Sequence, residues 1–146
     1  DHQSGRRAGT ESAMLFAALG TACRLARDLS PMARVKDLRD DLHRRLQERY
    51  GERLHLNGHP EHRLPNTLNL SFEGKIGSEI LDRMPEIAAT TGSACHEGRV
   101  TVSSVLQAMG VSESVGAGTV RFSLGRPTTQ AEIDTVVQAV ANAVGD

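Results

Sequence analysis

The stretch Thr119-Val120-Arg121-Phe122-Ser123-Leu124, followed after a short turn by Thr129-Gln130-Ala131-Glu132-Ile133, decides the fold class. In the first segment Val120, Phe122 and Leu124 alternate with Arg121 and Ser123, the period of a strand with one buried face. In the second, Thr129 and Glu132 form a capping box. Ile133, Val136, Val137, Val140 and Val144 then recur at helical spacing. A half-buried strand leading into an amphipathic helix predicts a small sheet with helices laid over one face.

The segments upstream extend this pattern. Thr10 is placed to cap a helix from Glu11 to about Leu29, with Leu15, Leu19, Ala22 and Leu29 at helical spacing. Cys23 lies within it and reads as core packing. Ser30-Pro31 opens a second helix striped by Val35, Leu38, Leu42 and Leu46 and stopped by Gly51. Its arginines Arg39, Arg44, Arg45 and Arg49 alternate with acids and read as a solvated face. Short strands are expected at Leu54–Asn57, Thr67–Phe72 and Ile87–Thr90. Helices are expected from Ser78 to Met84 and from Ser103 to Met109, then a small-residue turn from Ser112 to Gly118. The order is helix, helix, strand, strand, helix, strand, helix, strand, helix. It predicts an α+β domain whose small sheet is mixed or antiparallel.

The chain has 146 residues, enough for one domain with its own core. A formal net charge of -1 gives no overall field for nucleic acid or an acidic membrane, and 3% aromatic content gives no base-stacking platform. Two cysteines make neither a disulfide framework nor a paired zinc motif, which fits a reducing, cytoplasmic setting. No apolar run approaches the roughly 20 residues that span a bilayer. The polar opening from Asp1 to Arg7 reads as a loop entered from something upstream. The expected organisation is a loop over 1–10 and a domain over 11–146.

Candidate chemistry concentrates in Thr90-Thr91-Gly92-Ser93-Ala94-Cys95-His96-Glu97-Gly98. Glycines and small residues give a loop that bends and leave the sulfur little cover. The simpler reading is a small buried cysteine. Arg121 is a charge within an apolar strand: either part of a solvated outer face, or a guanidinium that grips a carboxylate bidentately. The histidines His55, His59 and His62 straddle a strand end and Pro60, and read as surface loop rather than a metal site.

Three separated segments resemble one family, the pyridoxal-phosphate-dependent cysteine desulfurases of the class V aminotransferase group, which also includes selenocysteine lyases. They are Arg7-Ala8-Gly9-Thr10-Glu11, Gly92-Ser93-Ala94-Cys95 and Val120-Arg121-Phe122-Ser123-Leu124-Gly125-Arg126. Leu64 to Phe72 and Thr128 to Asp134 resemble further stretches in the same order. The resemblance implies the C-terminal small domain of a fold-type I enzyme, with the catalytic-cysteine loop over 90–103. It implies Cys95 as the nucleophile that carries sulfur away as a persulfide, and Arg121 as the carboxylate-binding arginine. Thr10 corresponds to a residue reaching the cofactor phosphate of the partner subunit in a homodimer, and Arg7 is a further cofactor-binding candidate. His96 and Arg99 either lower the pKa of the thiol or simply face solvent.

The implied substrate is L-cysteine, the product L-alanine, and the sulfur passes to an acceptor protein. Neither nucleic acid nor membrane is an expected partner, and no metal is expected. The Schiff-base lysine of the family falls upstream of these residues. Lys36 and Lys75 do not occur in its motif, so this chain taken alone is expected to be inactive. Two alternatives accompany this reading: a selenocysteine lyase, since Ala94-Cys95-His96 also resembles those enzymes, and a non-catalytic module that relays a persulfide or binds a partner.

Overall fold

The computed structural model describes residues 3–6, 8–92 and 102–145. They divide into two compact units, Asp1–Pro31 and Met32–Asp146.

The first unit holds helix α1, Ala13–Ala26. Its N-cap is Ser12, whose hydroxyl accepts from the Leu15 amide at 3.4 Å, so the cap expected at Thr10 falls two residues later. None of its residues is buried. Cys23 is exposed, against the expectation of core packing, and so are Leu15, Leu19 and Leu29. The helical spacing was legible, but an apolar stripe does not say which surface it meets.

In the second unit a three-stranded sheet has the order β1 (Leu54–Leu56), β2 (Thr67–Phe72), β3 (Thr119–Ser123). Both pairings are antiparallel, which settles the choice between a mixed and an antiparallel sheet. Leu70 lies opposite Leu56 on one side and Val120 on the other, and Leu68 lies opposite Phe122. The sheet therefore has one continuous apolar face. Against it pack α2 (Pro31–Tyr50) through Val35, Leu42 and Leu46, and α6 (Gln130–Val144) through Ile133, Val140 and Val144. The short helices α3 (Gly77–Asp82), α4 (Ser104–Ala108) and α5 (Glu113–Gly116) complete the unit. The last of these occupies a stretch expected to be a turn.

Both long helices are fixed by more than apolar burial. The capping box of α6 is present: Thr129 Oγ1 accepts from the Glu132 amide at 3.3 Å, and Glu132 Oε2 accepts from the Thr129 amide at 2.7 Å. Lys75 Nζ donates to the Val144 carbonyl at 2.7 Å and Arg83 to the Ala143 carbonyl at 3.1 Å, so two cations meet the C-terminal end of the helix dipole. Gln130 donates to Asp41, tying the start of α6 to α2.

Two expectations fail for local reasons. Arg39, read as part of a solvated face, is 3% exposed; it bonds Asp40 and donates to the Leu64 carbonyl at 2.8 Å. A long side chain can leave a helix surface to clamp a neighbouring loop, which residue spacing does not reveal. The strand expected at Ile87–Thr90 shrinks to one residue. The Ile87 and Ala89 amides turn back to the carbonyls of Met84 and Ile87, leaving only Thr90 to pair with the sheet. Ile87 and Ala89 instead pack against the core.

Two glycines allow backbone to approach backbone near this point. A Cβ on Gly77 would lie 2.2 Å from the Thr119 carbonyl oxygen, and one on Gly118 would lie 2.0 Å from that of Phe72. No side chain fits at either position.

Candidate functional site

Strand β3 presents Arg121 and Ser123 outward while Val120 and Phe122 are buried, as the alternation predicts. Arg121 lies on the outer edge of the sheet, and there its backbone bonds Thr90 in both directions. The Arg121 amide donates to the Thr90 carbonyl at 2.6 Å, and the Thr90 amide donates to the Arg121 carbonyl at 3.2 Å. Thr90 is the residue at which the cysteine-bearing stretch begins. Arg121 and the first residue of the loop expected at 90–103, distant in sequence, are thus linked through a single antiparallel bridge. Thr90 Oγ1 also accepts from the Gly92 amide at 3.1 Å, turning the chain as it leaves the bridge.

The polar face of the sheet surrounds Arg121 with hydrogen-bonding groups that the strand pattern did not single out. Asn69 lies directly opposite Arg121 in register, so their side chains share a face. Asn57 Nδ2 donates to Asn69 Oδ1 and to Ser71 Oγ, both at 2.8 Å. The Ser71 and Thr119 hydroxyls share a bond of 2.7 Å and are both buried. This chain of bonds fixes the Asn69 carboxamide on the face it shares with Arg121. The alternation Asn69, Ser71 and Thr119, Arg121 was the available signal; it reads as ordinary polar-out patterning until the register joins the strands. Among the described residues the Arg121 side chain makes no hydrogen bond or ion pair, which leaves its donors available to a ligand. A cleft of about 320 Å³ opens nearby, lined by Ile87, Ser123, Thr128, Glu132 and Val136 among others, but Arg121 does not line it.

Thr10 is exposed in the first unit, and its hydroxyl is not the α1 cap. Cys95 and Arg7 lie outside the described residues, as do His96 and Arg99. Of the three histidines, His55 faces Glu73 at 3.1 Å, while His59 Nδ1 accepts from the amides of Glu61 and His62. Among the described residues no group of three or more His, Cys, Asp or Glu side chains is arranged to hold a metal ion. No helix in them is long and apolar enough to cross a membrane.

A family model described as Aminotransferase class-V matches residues 1–136. The chain belongs to the class V aminotransferases. It is 37% identical over 146 residues to "Cysteine desulfurase IscS" of Serratia proteamaculans, covering 99% of this chain and 36% of that protein. It is 45% identical over 141 residues to "Cysteine desulfurase 2" of Trichormus variabilis, covering 94% of this chain and 35% of that one. Among solved structures, a NifS-like protein from Rickettsia africae superposes with a TM-score of 0.78 at 23% identity, over 98% of this chain and 38% of that chain. A second NifS-like protein gives 0.71 at 26% identity, over 95% and 35%. This class V aminotransferase chain therefore spans about a third of the length of the curated relatives it matches.

Its two lysines do not fit the role of a cofactor anchor. Lys36 Nζ is held by Asp40 at 2.8 Å and Lys75 Nζ by the Val144 carbonyl. Both amines are engaged by groups of the second unit.

Proposed function

We propose that this chain is the C-terminal portion of a cysteine desulfurase, with residues 1–10 as a cofactor- and dimer-facing loop and 11–146 as the small domain. The overall reaction takes L-cysteine and the Cys95 thiol to L-alanine and a Cys95 persulfide, and the terminal sulfur then passes to an acceptor protein. Atoms balance in the first half: the substrate sulfur joins the Cys95 sulfur, and the carbon skeleton leaves with the hydrogens. Pyridoxal phosphate, when bound in the complete enzyme, supplies the electron sink for carbon–sulfur cleavage. Its lysine comes from outside this chain.

The observation that carries the reading is the bridge between Thr90 and Arg121. A guanidinium on a sheet edge is a fixed grip for the substrate carboxylate. Cys95 lies five positions after Thr90, a covalent tether of at most about 18 Å. Within that radius the thiolate, the nucleophilic form of cysteine, can meet a substrate held by Arg121 and then turn to an acceptor. Thr10 serves the cofactor phosphate of a partner subunit in a homodimer, with Arg7 as a second contact. Iron–sulfur cluster assembly is a fitting use of the sulfur, and the cytoplasm a fitting setting.

The test uses the polypeptide at the full length of its relatives, loaded with pyridoxal phosphate and given L-cysteine. Mass spectrometry of the peptide containing Cys95 should show one added sulfur atom, removed by reductant and absent from Cys95→Ala. Sulfur on Cys23 instead, or on neither cysteine, refutes the assignment.

A further inference from the structure

We propose that Asn69 is a second carboxylate-binding residue, a neutral donor that works beside Arg121 on the α-carboxylate of the amino-acid substrate, a role that depends on the cysteine desulfurase reading above. Antiparallel strands alternate between residue pairs that exchange backbone hydrogen bonds and pairs that do not. Asn69 and Arg121 are directly opposed, and both spend backbone groups elsewhere. The Arg121 amide and carbonyl bond Thr90 on the outer edge, while the Asn69 carbonyl accepts from the Asn57 amide at 3.0 Å on the β1 side. They are therefore a non-hydrogen-bonded pair, the kind whose side chains stand closer, with Cβ atoms about 4.5–5.5 Å apart. Guanidinium and carboxamide leave the same face of the sheet from adjacent roots.

Asn69 is oriented by its neighbours. Its Oδ1 accepts from Asn57 Nδ2 at 2.8 Å; the same Nδ2 donates to Ser71 Oγ, which shares a bond of 2.7 Å with the Thr119 hydroxyl. Ser71 and Thr119 are buried, so the network is rooted in the interior. Its other end is open: Asn69 is half-buried and Arg121 is exposed. With Oδ1 engaged, the N–H donors of Asn69 Nδ2 remain, and no acceptor among the described residues takes them. Nor does any acid among the described residues stand within ion-pair distance of the Arg121 guanidinium.

A surface that offers donors and no free acceptor selects a group that only accepts, and an ionised carboxylate is that group. Arg121 supplies the charge and the paired in-plane bonds, and Asn69 reaches a lone pair that the guanidinium leaves unused. A second cation directly opposite Arg121 would repel it, whereas a carboxamide adds a donor without adding charge. Because Asn57 holds Asn69 before any substrate arrives, little side-chain freedom is lost on binding.

The experiment is steady-state sulfide release from L-cysteine by the full-length, cofactor-loaded protein in the presence of a thiol reductant, with thermal unfolding of each variant. Asn69→Ala should raise KM about tenfold or more, the loss of one hydrogen bond to a charged group, and leave kcat within about twofold. Inhibition by added L-alanine, which carries the same carboxylate, should weaken by a similar factor. Asn69→Asp separates binding from bracing. Its carboxylate still accepts from Asn57 Nδ2, so Tm should stay near that of the wild type, while an anion in place of the donor should raise KM further than Asn69→Ala does. If Asn69→Ala keeps KM within about twofold while Arg121→Lys raises it, this proposal is overturned and the desulfurase reading stands. If neither variant moves KM, the grip at Arg121 falls as well. A joint loss of kcat and Tm in both Asn69 variants at constant KM also overturns the proposal, since the side chain then only braces the sheet.

Discussion

If Arg121 is the carboxylate grip proposed above, replacing it separates substrate binding from folding. The side chain is exposed and makes no hydrogen bond or ion pair among the described residues, while its backbone holds Thr90 through two hydrogen bonds that any residue other than proline preserves in part. Arg121→Lys should therefore change unfolding free energy by less than about 0.5 kcal/mol, the usual range for surface positions without special contacts. Its effect on L-cysteine is a different matter. A bidentate guanidinium–carboxylate pair becomes one point-charge contact, which forfeits about one charge-assisted hydrogen bond, or roughly 1.5–3 kcal/mol. At 1.36 kcal/mol per decade that is about a 10- to 150-fold loss in kcat/KM. On the proposed reading the carboxylate is held throughout the reaction, so the loss should lie mainly in KM, with kcat less affected. Arg121→Gln, which also removes the charge, should lose more. The assay is alanine or sulfide production by the full-length, cofactor-loaded protein, paired with thermal denaturation of each variant. If Arg121→Lys keeps kcat/KM within about twofold, the carboxylate grip belongs elsewhere. If it loses activity together with several kilocalories of stability, the side chain is a structural element.

Gly118→Ala should destabilise by about 1–3 kcal/mol or more, since the added Cβ meets the Phe72 carbonyl oxygen at 2.0 Å and backbone must move; chemical denaturation with unchanged m-value checks it. Leu46→Ala, at a position with 0% exposure, should cost about 2–5 kcal/mol by the same measurement. Thr129→Ala breaks the capping box of α6 and should cost about 1 kcal/mol, whereas Thr129→Ser should recover most of it. His43 has its pKa lowered by burial, so the unfolded chain binds its proton more readily. The stability it contributes is present above the unfolded value of about 6.5 and is lost as pH falls from there toward the folded value, and His43→Gln should flatten that part of the stability curve.

The fold was legible where one periodicity met one local signal. Val120, Phe122 and Leu124 alternating before a capping box left little choice about β3 and α6, and the same holds for the Val35–Leu46 stripe of α2. What was hidden depends on where a surface goes rather than on what it is made of. Arg39 has the spacing of a solvated residue and the burial of a core one, because its partner is the Leu64 carbonyl, a backbone atom that no residue identity announces. Leu15 and Leu19 have core spacing and are exposed. The Asn57–Asn69–Ser71–Thr119 network needed the strand register before its members could be seen as neighbours. Arg121 was picked out by a charge in an apolar strand, but its relation to Thr90 is a tertiary fact.

The reduction of the expected fourth strand to one bridge has a functional logic. A full strand at Ile87–Thr90 would have paired several residues with β3 and placed the whole approach to Cys95 in a ladder, at roughly 1 kcal/mol for each hydrogen bond. Here the Ile87 and Ala89 amides are spent on local turns, and the pairing is confined to the residue that faces Arg121. The start of the cysteine-bearing stretch is fixed to Arg121, the carboxylate grip of the proposed reading. A sulfur carrier needs a defined origin beside its substrate. Thr90→Pro tests the point: it deletes the amide donated to Arg121 but leaves the Arg121 side chain in place. Because only the anchor is disturbed, persulfide formation on Cys95 should slow by about tenfold or more while KM for L-cysteine stays nearly unchanged. A variant that instead raises KM and keeps kcat would show that the bridge positions the substrate grip rather than the nucleophile.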